Sequence, residues 1–113
     1  MKLGVFTVVL GSMPLDKACE YLSKNGVQMV EIGCGGYPGR AHCDPDILLK
    51  DDEELKKFKD TIEQNNLEIS ALSSHGNMVH PVKEIAKKYD DDLTKAILLA
   101  EKLGVPVVNT FSG

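Results

Sequence analysis

The sequence has no tryptophan, few cysteines and no apolar run near the roughly 18 residues that a membrane-spanning helix needs. Without such a run, no membrane partner is expected. Basic residues are also scarce: 13 lysines and arginines stand against 17 aspartates and glutamates, for a formal net charge of −4. Nucleic-acid binding relies on a dense basic surface that neutralises phosphates, so DNA and RNA are not expected as partners.

The three cysteines, Cys19, Cys34 and Cys43, form an odd set without CxxC spacing. Such a set indicates reduced thiols rather than a disulfide framework. The first five residues, Met-Lys-Leu-Gly-Val, show neither the apolar segment nor the cleavage site of a secretory signal. Together these features predict a cytoplasmic protein.

The length of 113 residues suffices for one compact domain but is far below the roughly 250 residues typical of a closed eight-stranded α/β barrel. The composition, 42% hydrophobic and 27% charged, is that of a globular protein. We therefore expect residues 1–113 to form a single partial domain.

Four short segments rich in apolar and β-branched residues are predicted as buried strands at residues 3–9, 27–33, 67–73 and 105–110. A first helix follows Pro14 and stops at Asn25 and Gly26, with its apolar stripe at Leu15, Ala18, Cys19 and Leu22. A second begins at the acids of residues 51–54 and buries Leu55, Phe58 and Ile62.

The rest of the chain is predicted from the same signals. Residues 33–39 contain four glycines and a proline, which indicates an irregular loop after the second strand. Residues 81–89 form a short helical candidate. After three aspartates at 90–92, a longer helix ends at Gly104, with its stripe at Leu93, Ala96, Ile97, Ala100 and Leu103.

Strands that alternate with helices indicate parallel pairing through right-handed crossovers. The predicted fold class is therefore α/β, with four β/α units that form the amino-terminal half of a TIM (β/α)₈ barrel. In such folds the carboxyl ends of the strands form the active edge. The polar residues predicted there are Thr7, Glu31, His75, Asn77, Asn109 and Ser112.

Several stretches carry a family resemblance: Val-Glu-Ile-Gly at 30–33, Gly-Tyr-Pro-Gly at 36–39, Ala-His-Cys-Asp at 41–44, Ala-Leu-Ser-Ser-His-Gly-Asn at 71–77, His-Pro at 80–81, Leu-Gly-Val at 103–105 and Phe-Ser-Gly at 111–113. The chain resembles the amino-terminal half of the sugar phosphate isomerase/epimerase family, which belongs to the xylose isomerase-like TIM barrels. Fold transfers well through such a resemblance, and substrate transfers poorly.

The resemblance implies a metal-dependent isomerase or epimerase that moves a proton between the carbons beside a sugar carbonyl. The divalent metal, Mn, Mg, Co or Zn, is held in that family by ligands from later strands, so we expect neither metal ligands nor catalytic residues in this chain, and no activity from it alone. The resemblance implies that His75 contacts a sugar or sugar phosphate, with contact to the metal as the weaker alternative. It also implies that Glu31 and Asn77 line the pocket. Asn109, at the fourth strand's end, is a further substrate-binding candidate.

Each candidate also has a purely structural interpretation. His75 can cap nearby backbone, and Glu31 can be solvated or paired with a lysine at the rim of the sheet. Asn77 can be a turn residue, and Asn109 can satisfy strand-end backbone groups. The sequence leaves these alternatives open.

Three other features carry weaker hypotheses. Cys34, His42, Cys43 and His80 have zinc-ligand chemistry but match no compact zinc-binding spacing. The glycines of residues 33–39 can cradle a phosphate, although the segment lacks the GxGxxG and Walker patterns. The lysines at 83, 87 and 88, followed by the aspartates at 90–92, are typical of a solvated helix face.

Two alternative functions remain. Endonuclease IV-type DNA repair enzymes share the superfamily but need a histidine at the end of the fourth strand, where this chain has Asn-Thr-Phe-Ser-Gly. The other alternative is a non-catalytic half-barrel. Because an open parallel sheet exposes two edges and one face, we expect homo-oligomers in either case.

Overall fold

A computed structural model describes residues 2–110, in which four parallel strands alternate with helices. The strands are β1 (Gly4–Phe6), β2 (Met29–Gly36), β3 (Glu68–His75) and β4 (Val108–Asn109). They lie in the sheet in chain order, and each pairs in parallel with the next. This arrangement confirms the predicted α/β class and is consistent with half of a TIM barrel.

The helices are α1 (Leu15–Lys24), α2 (Pro45–Leu48), α3 (Asp52–Gln64) and α4 (Lys83–Leu103), and a 3₁₀ turn spans Thr7–Leu10. The predicted acidic start of α3 is confirmed, because the Asp51 side chain accepts hydrogen bonds from the backbone N–H groups of Glu53 and Glu54. Helix α4 ends as predicted at Gly104, whose φ of 71° suits glycine. In residues 2–110, no helix is long and apolar enough to cross a membrane.

The hydrophobic core lies between the sheet and the helices. Strand β2 contributes Val30, Ile32 and Cys34, and β3 contributes Leu72. The helices pack their apolar stripes against these strands. The stripe residues are Cys19 and Leu22 in α1, Phe58 and Ile62 in α3, and Ala96 and Leu99 in α4. Since side chains alternate along a strand, Glu31 and Ser73 lie on the other face, which a closed barrel would enclose.

Two predicted strand boundaries are wrong at the active edge. The first strand ends at Phe6 rather than at residue 9, and the following Val8 and Val9 are exposed instead of buried. The second strand continues through Gly36, because Gly33, Gly35 and Gly36 pair with Ser73, Ser74 and His75 of β3. The irregular loop therefore begins at Tyr37 and not at Gly33.

The helical prediction at residues 81–89 and 90–103 is also wrong, because α4 is one continuous helix from Lys83 to Leu103. Its buried residues are Asp92, Ala96, Leu99 and Ala100, whereas the predicted stripe residue Ile97 is half exposed. The fourth strand is only two residues long, and the short helix α2 was not predicted.

Candidate functional site

The candidate site is built on a carboxylate of β2 and a hydroxyl of β3. Because β2 continues to Gly36, Glu31 lies nearer the start of its strand than the sequence predicted. The Ser73 hydroxyl of β3 donates a short hydrogen bond to Oε2 of Glu31 in β2. Ser73 is fully buried, and Glu31 is partly exposed. The sequence allowed a lysine as the partner of Glu31, and the structure shows Ser73 as its partner instead.

Asn109 and His75 lie beside this pair. Asn109 of β4 is the register partner of Ser73, and His75 follows Ser73 by two residues on the same face of β3. The His75 carbonyl accepts a hydrogen bond of 2.7 Å from the backbone N–H of Tyr37. Three of the four predicted substrate-binding residues, Glu31, His75 and Asn109, therefore share the inner face of the sheet. Glu31, however, is level with Ala71 and lies four residues before the level of His75.

Asn77 is used differently. Its Oδ1 accepts a hydrogen bond of 3.1 Å from the backbone N–H of Val79. This is the turn geometry that the sequence left open for Asn77. Its contact with a substrate stays a prediction, and Ser112, the last polar residue predicted at this edge, lies outside the described residues.

The loop after β2 folds back over the same face. A Cβ added at Gly33 would lie 2.7 Å from Cβ of Pro38, so only glycine leaves room for the loop at this point. Thr7, Gly33 and Pro38 line a cavity of about 20 Å³ there. The Thr7 hydroxyl is buried and has no hydrogen-bond partner within residues 2–110, and Thr7 is one of the residues that line this space, which is about the size of a water molecule.

Sequence reasoning missed an ion-pair network behind this loop. Arg40 binds Asp92 of α4 through Nη2 at 2.7 Å, and binds Asp46 through Nη1 at 2.6 Å. Asp46 also binds Lys95 at 2.6 Å. The hydrogen bonds from Lys95 and then Arg40 lower the pKa of Asp46 to about 2.

Asp92 corrects the prediction of a fully solvated helix face. Lys87 and Asp91 do form an exposed ion pair, but Asp92 is only 5% exposed. A run of three aspartates gives no sign of which one is buried. Its partner Arg40 lies 52 residues earlier in the chain, so no local pattern could have found the pair.

Residues 19–113 match the family described as xylose isomerase-like TIM barrel. The chain belongs to that family. It is also 34% identical over 113 residues to "Uncharacterized protein YfiH" of Bacillus subtilis (strain 168), in an alignment that covers 100% of this chain and 36% of that protein. The chain thus spans about a third of the length of this relative.

Metal binding in this xylose isomerase-like chain is limited by the donors that the sheet brings together. Within residues 2–110, no group of three histidine, cysteine, aspartate or glutamate side chains is arranged to hold a metal ion. Glu31 and His75 supply one carboxylate and one imidazole on the inner face of the sheet, which is too few for a site of their own. The donors described here therefore do not fit a complete metal centre.

The residues of the zinc hypothesis have other partners. His42 bonds to the Met13 carbonyl through Nε2 at 2.7 Å, and Nδ1 of His80 accepts from the N–H of Val82. Cys34 and Cys43 are buried and hydrogen-bonded to each other. That bond lowers the pKa of Cys34 and, together with burial, raises the pKa of Cys43.

Proposed function

We propose that the chain forms the substrate-binding wall of a cytoplasmic sugar or sugar phosphate isomerase or epimerase, which acts by proton transfer next to a carbonyl. The observation that carries the proposal is the row formed by Glu31, Ser73 and Asn109, with His75 beside it. All four side chains lie on the inner face. His75 and Asn109 stand at the carboxyl ends of β3 and β4, where enzymes of this architecture place their active sites. Glu31 lies nearer the start of β2 and is bonded to Ser73.

The chemistry of the row suits a polyhydroxylated ligand. Ser73 occupies Oε2 of Glu31, which leaves Oε1 to accept a hydrogen bond from a sugar hydroxyl. The Asn109 amide can donate and accept, and the His75 imidazole can donate to a hydroxyl or carbonyl oxygen. The set thus binds and orients a sugar, and the proton transfer itself is assigned to groups outside this chain.

A divalent metal ion, Mn, Mg, Co or Zn, belongs to the proposal only for a complete barrel. Since the described donors do not fit such a centre, the metal would be held by ligands outside residues 2–110, and no step of the reaction is derived through it. The metal's identity and any phosphate on the sugar are part of what the experiment must determine.

A second candidate function is a non-catalytic half-barrel that self-associates. Strands β1 and β4 are the two edges of the described sheet, and Ile97 and Leu98 of α4 are about half exposed. An open edge and an exposed apolar pair both favour association with a second surface. DNA repair is less favoured, because the fourth strand ends at Asn109 and Thr110, where the endonuclease IV type requires a histidine.

The test uses the protein that carries this chain together with any continuation of its reading frame. It is incubated in D₂O with D-xylose, D-fructose and D-fructose 6-phosphate, with and without Mn²⁺ or Mg²⁺. Proton NMR then follows both isomer formation and solvent deuterium at the carbon next to the carbonyl. The proposal expects deuterium incorporation, because a proton removed by a base exchanges with solvent.

The control is the isolated chain of residues 1–113, which is expected to be inactive under the same conditions. Interconversion of sugars by the isolated chain would contradict the assignment of proton transfer to groups outside it. A different result is that the longer protein incorporates no deuterium and binds none of the three sugars. That result would favour the second candidate function, a non-catalytic half-barrel.

A further inference from the structure

Helix α4 makes unusually close contact with the end of the central strand pair. A Cβ added at Gly35 would lie 3.1 Å from Cβ of Asp92 and 2.9 Å from the hydroxyl of Ser74. A side chain at Gly35 would push the helix away from the strand. The glycine therefore lets Asp92 approach the backbone of β2 directly.

Asp92 uses this approach to bind two groups at once. Its Oδ2 accepts a hydrogen bond of 3.1 Å from the backbone N–H of Gly36, the last residue of β2. Its Oδ1 accepts from Arg40 at 2.7 Å. Because Gly36 and Arg40 bracket the segment that lies over Gly33, one buried carboxylate holds both ends of this loop.

The same segment contacts His75. Gly36 is the register partner of His75, and a Cβ at Gly36 would stand 2.1 Å from the His75 carbonyl oxygen. The next residue, Tyr37, donates its N–H to that oxygen at 2.7 Å. A displacement of Gly36 is therefore transmitted to His75 through two adjacent backbone contacts.

We propose that Asp92 is a positioning residue for the sugar site: through Gly36 and Arg40 it fixes the loop over Gly33 and the orientation of His75. The part that concerns sugar binding rests on the proposed function, and the part that concerns His75 does not. Asp92 does not touch the substrate itself, since it lies on the helix side of the sheet, opposite Glu31.

The experiment compares Asp92→Asn with Asp91→Asn in the chain of residues 1–113. Asp91 is the adjacent carboxylate, but it is exposed and forms its ion pair with Lys87 on the surface. Two NMR signals are followed at fixed pH: the backbone amide of Gly36 and the Cε1–H of His75. We expect both to move in Asp92→Asn and to stay at their wild-type positions in Asp91→Asn.

A sugar titration of wild type and the same two variants, made in the protein that carries this chain and its continuation, tests the link to binding with D-xylose, D-fructose and D-fructose 6-phosphate. Asp92→Asn should weaken the affinity for the sugar that binds wild type by about tenfold, because a displaced His75 loses its proposed hydrogen bond to the sugar. If none of the sugars binds wild type while the His75 signal still moves, the proposed function fails and the positioning of His75 stands.

A second variant keeps the proposal testable if Asp92→Asn does not fold. Arg40→Gln removes the charge that faces Asp92 from a side chain that is 27% exposed, and leaves the bond between Asp92 and Gly36 in place. Smaller shifts of the same two signals are expected. Unchanged Gly36 and His75 signals in a folded Asp92→Asn or Arg40→Gln variant would overturn the proposal.

Discussion

The ring of Tyr89 in α4 lies directly against Gly76, where an added Cβ would stand 2.2 Å from Cδ1 of the ring. Real Cβ atoms do not approach so closely, so Gly76→Ala must displace α4 from the end of β3. Overpacking of this kind costs about 2 kcal/mol. We expect a loss of that size in the free energy of unfolding, measured by urea denaturation.

The matched control for Gly76→Ala is Gly4→Ala in β1. A Cβ at Gly4 would meet its nearest atom at 3.5 Å, which is ordinary van der Waals contact. The free energy of unfolding should therefore change by less than about 0.5 kcal/mol. Equal stabilities of the two variants would show that α4 can move away from Gly76 without cost.

Elements with a complete local signal were predicted well. Helix α1 has an apolar stripe and a glycine stop, and α3 has an acidic start that Asp51 caps, so their positions follow from neighbours within one or two turns. Strand order followed from the alternation of strands and helices. The end of β2 was not predicted correctly, because Gly35 and Gly36 are held in the strand by long-range contacts: both pair with β3, and Gly36 bonds to Asp92.

The candidate site shows the same division. The placement of His75 and Asn109 at one edge follows from parallel strands, which bring their carboxyl ends together, whereas Glu31 lies nearer the start of β2. That these residues bind substrate stays a prediction. Ser73 was not singled out, although it bonds to Glu31 and is the register partner of Asn109, because a serine inside a strand carries no chemical signal of its own. The ion pair of Arg40 and Asp92 was not predicted, because the two residues are 52 positions apart and meet only where α4 packs on the sheet.

His75 and His80 offer a direct test of the site. His75→Gln should weaken binding of the sugar by about tenfold in the protein that carries this chain and its continuation, because the imidazole is the proposed donor to a sugar oxygen. His80→Gln is the control, since His80 bonds to the backbone of Val82 at the start of α4. Isothermal titration measures both, and equal affinities would remove His75 from the site.

Self-association is expected from the open sheet. The chain of residues 1–113 exposes the outer edges of β1 and β4 as well as Ile97 and Leu98, so it should form a dimer or larger species at micromolar concentration. Light scattering gives the mass directly. A monomeric mass across a hundredfold range of concentration, about 1 to 100 μM, would refute this prediction.

The alkaline stability of the chain should depend on Cys19. Burial, and then the charge of Asp16, raise the pKa of this thiol from its ordinary value of 9.0 to about 11. Between these values the unfolded chain loses the Cys19 proton and the folded chain keeps it, so the free energy of unfolding falls as pH rises from 9 to 11. Each pKa unit corresponds to about 1.4 kcal/mol, so the loss from this residue is about 2 to 3 kcal/mol.

Urea denaturation of wild type, Cys19→Ala and Leu22→Ala at pH 8, 9, 10 and 11 isolates this contribution. Both variants leave a cavity beside α1 and lower the stability at pH 8, but only Cys19→Ala removes a titrating group. Stability should therefore fall less steeply with pH in Cys19→Ala, while Leu22→Ala should run parallel to wild type. Three parallel curves would mean that the folded chain loses the Cys19 proton as easily as the unfolded one, because solvent then reaches the thiol behind α1.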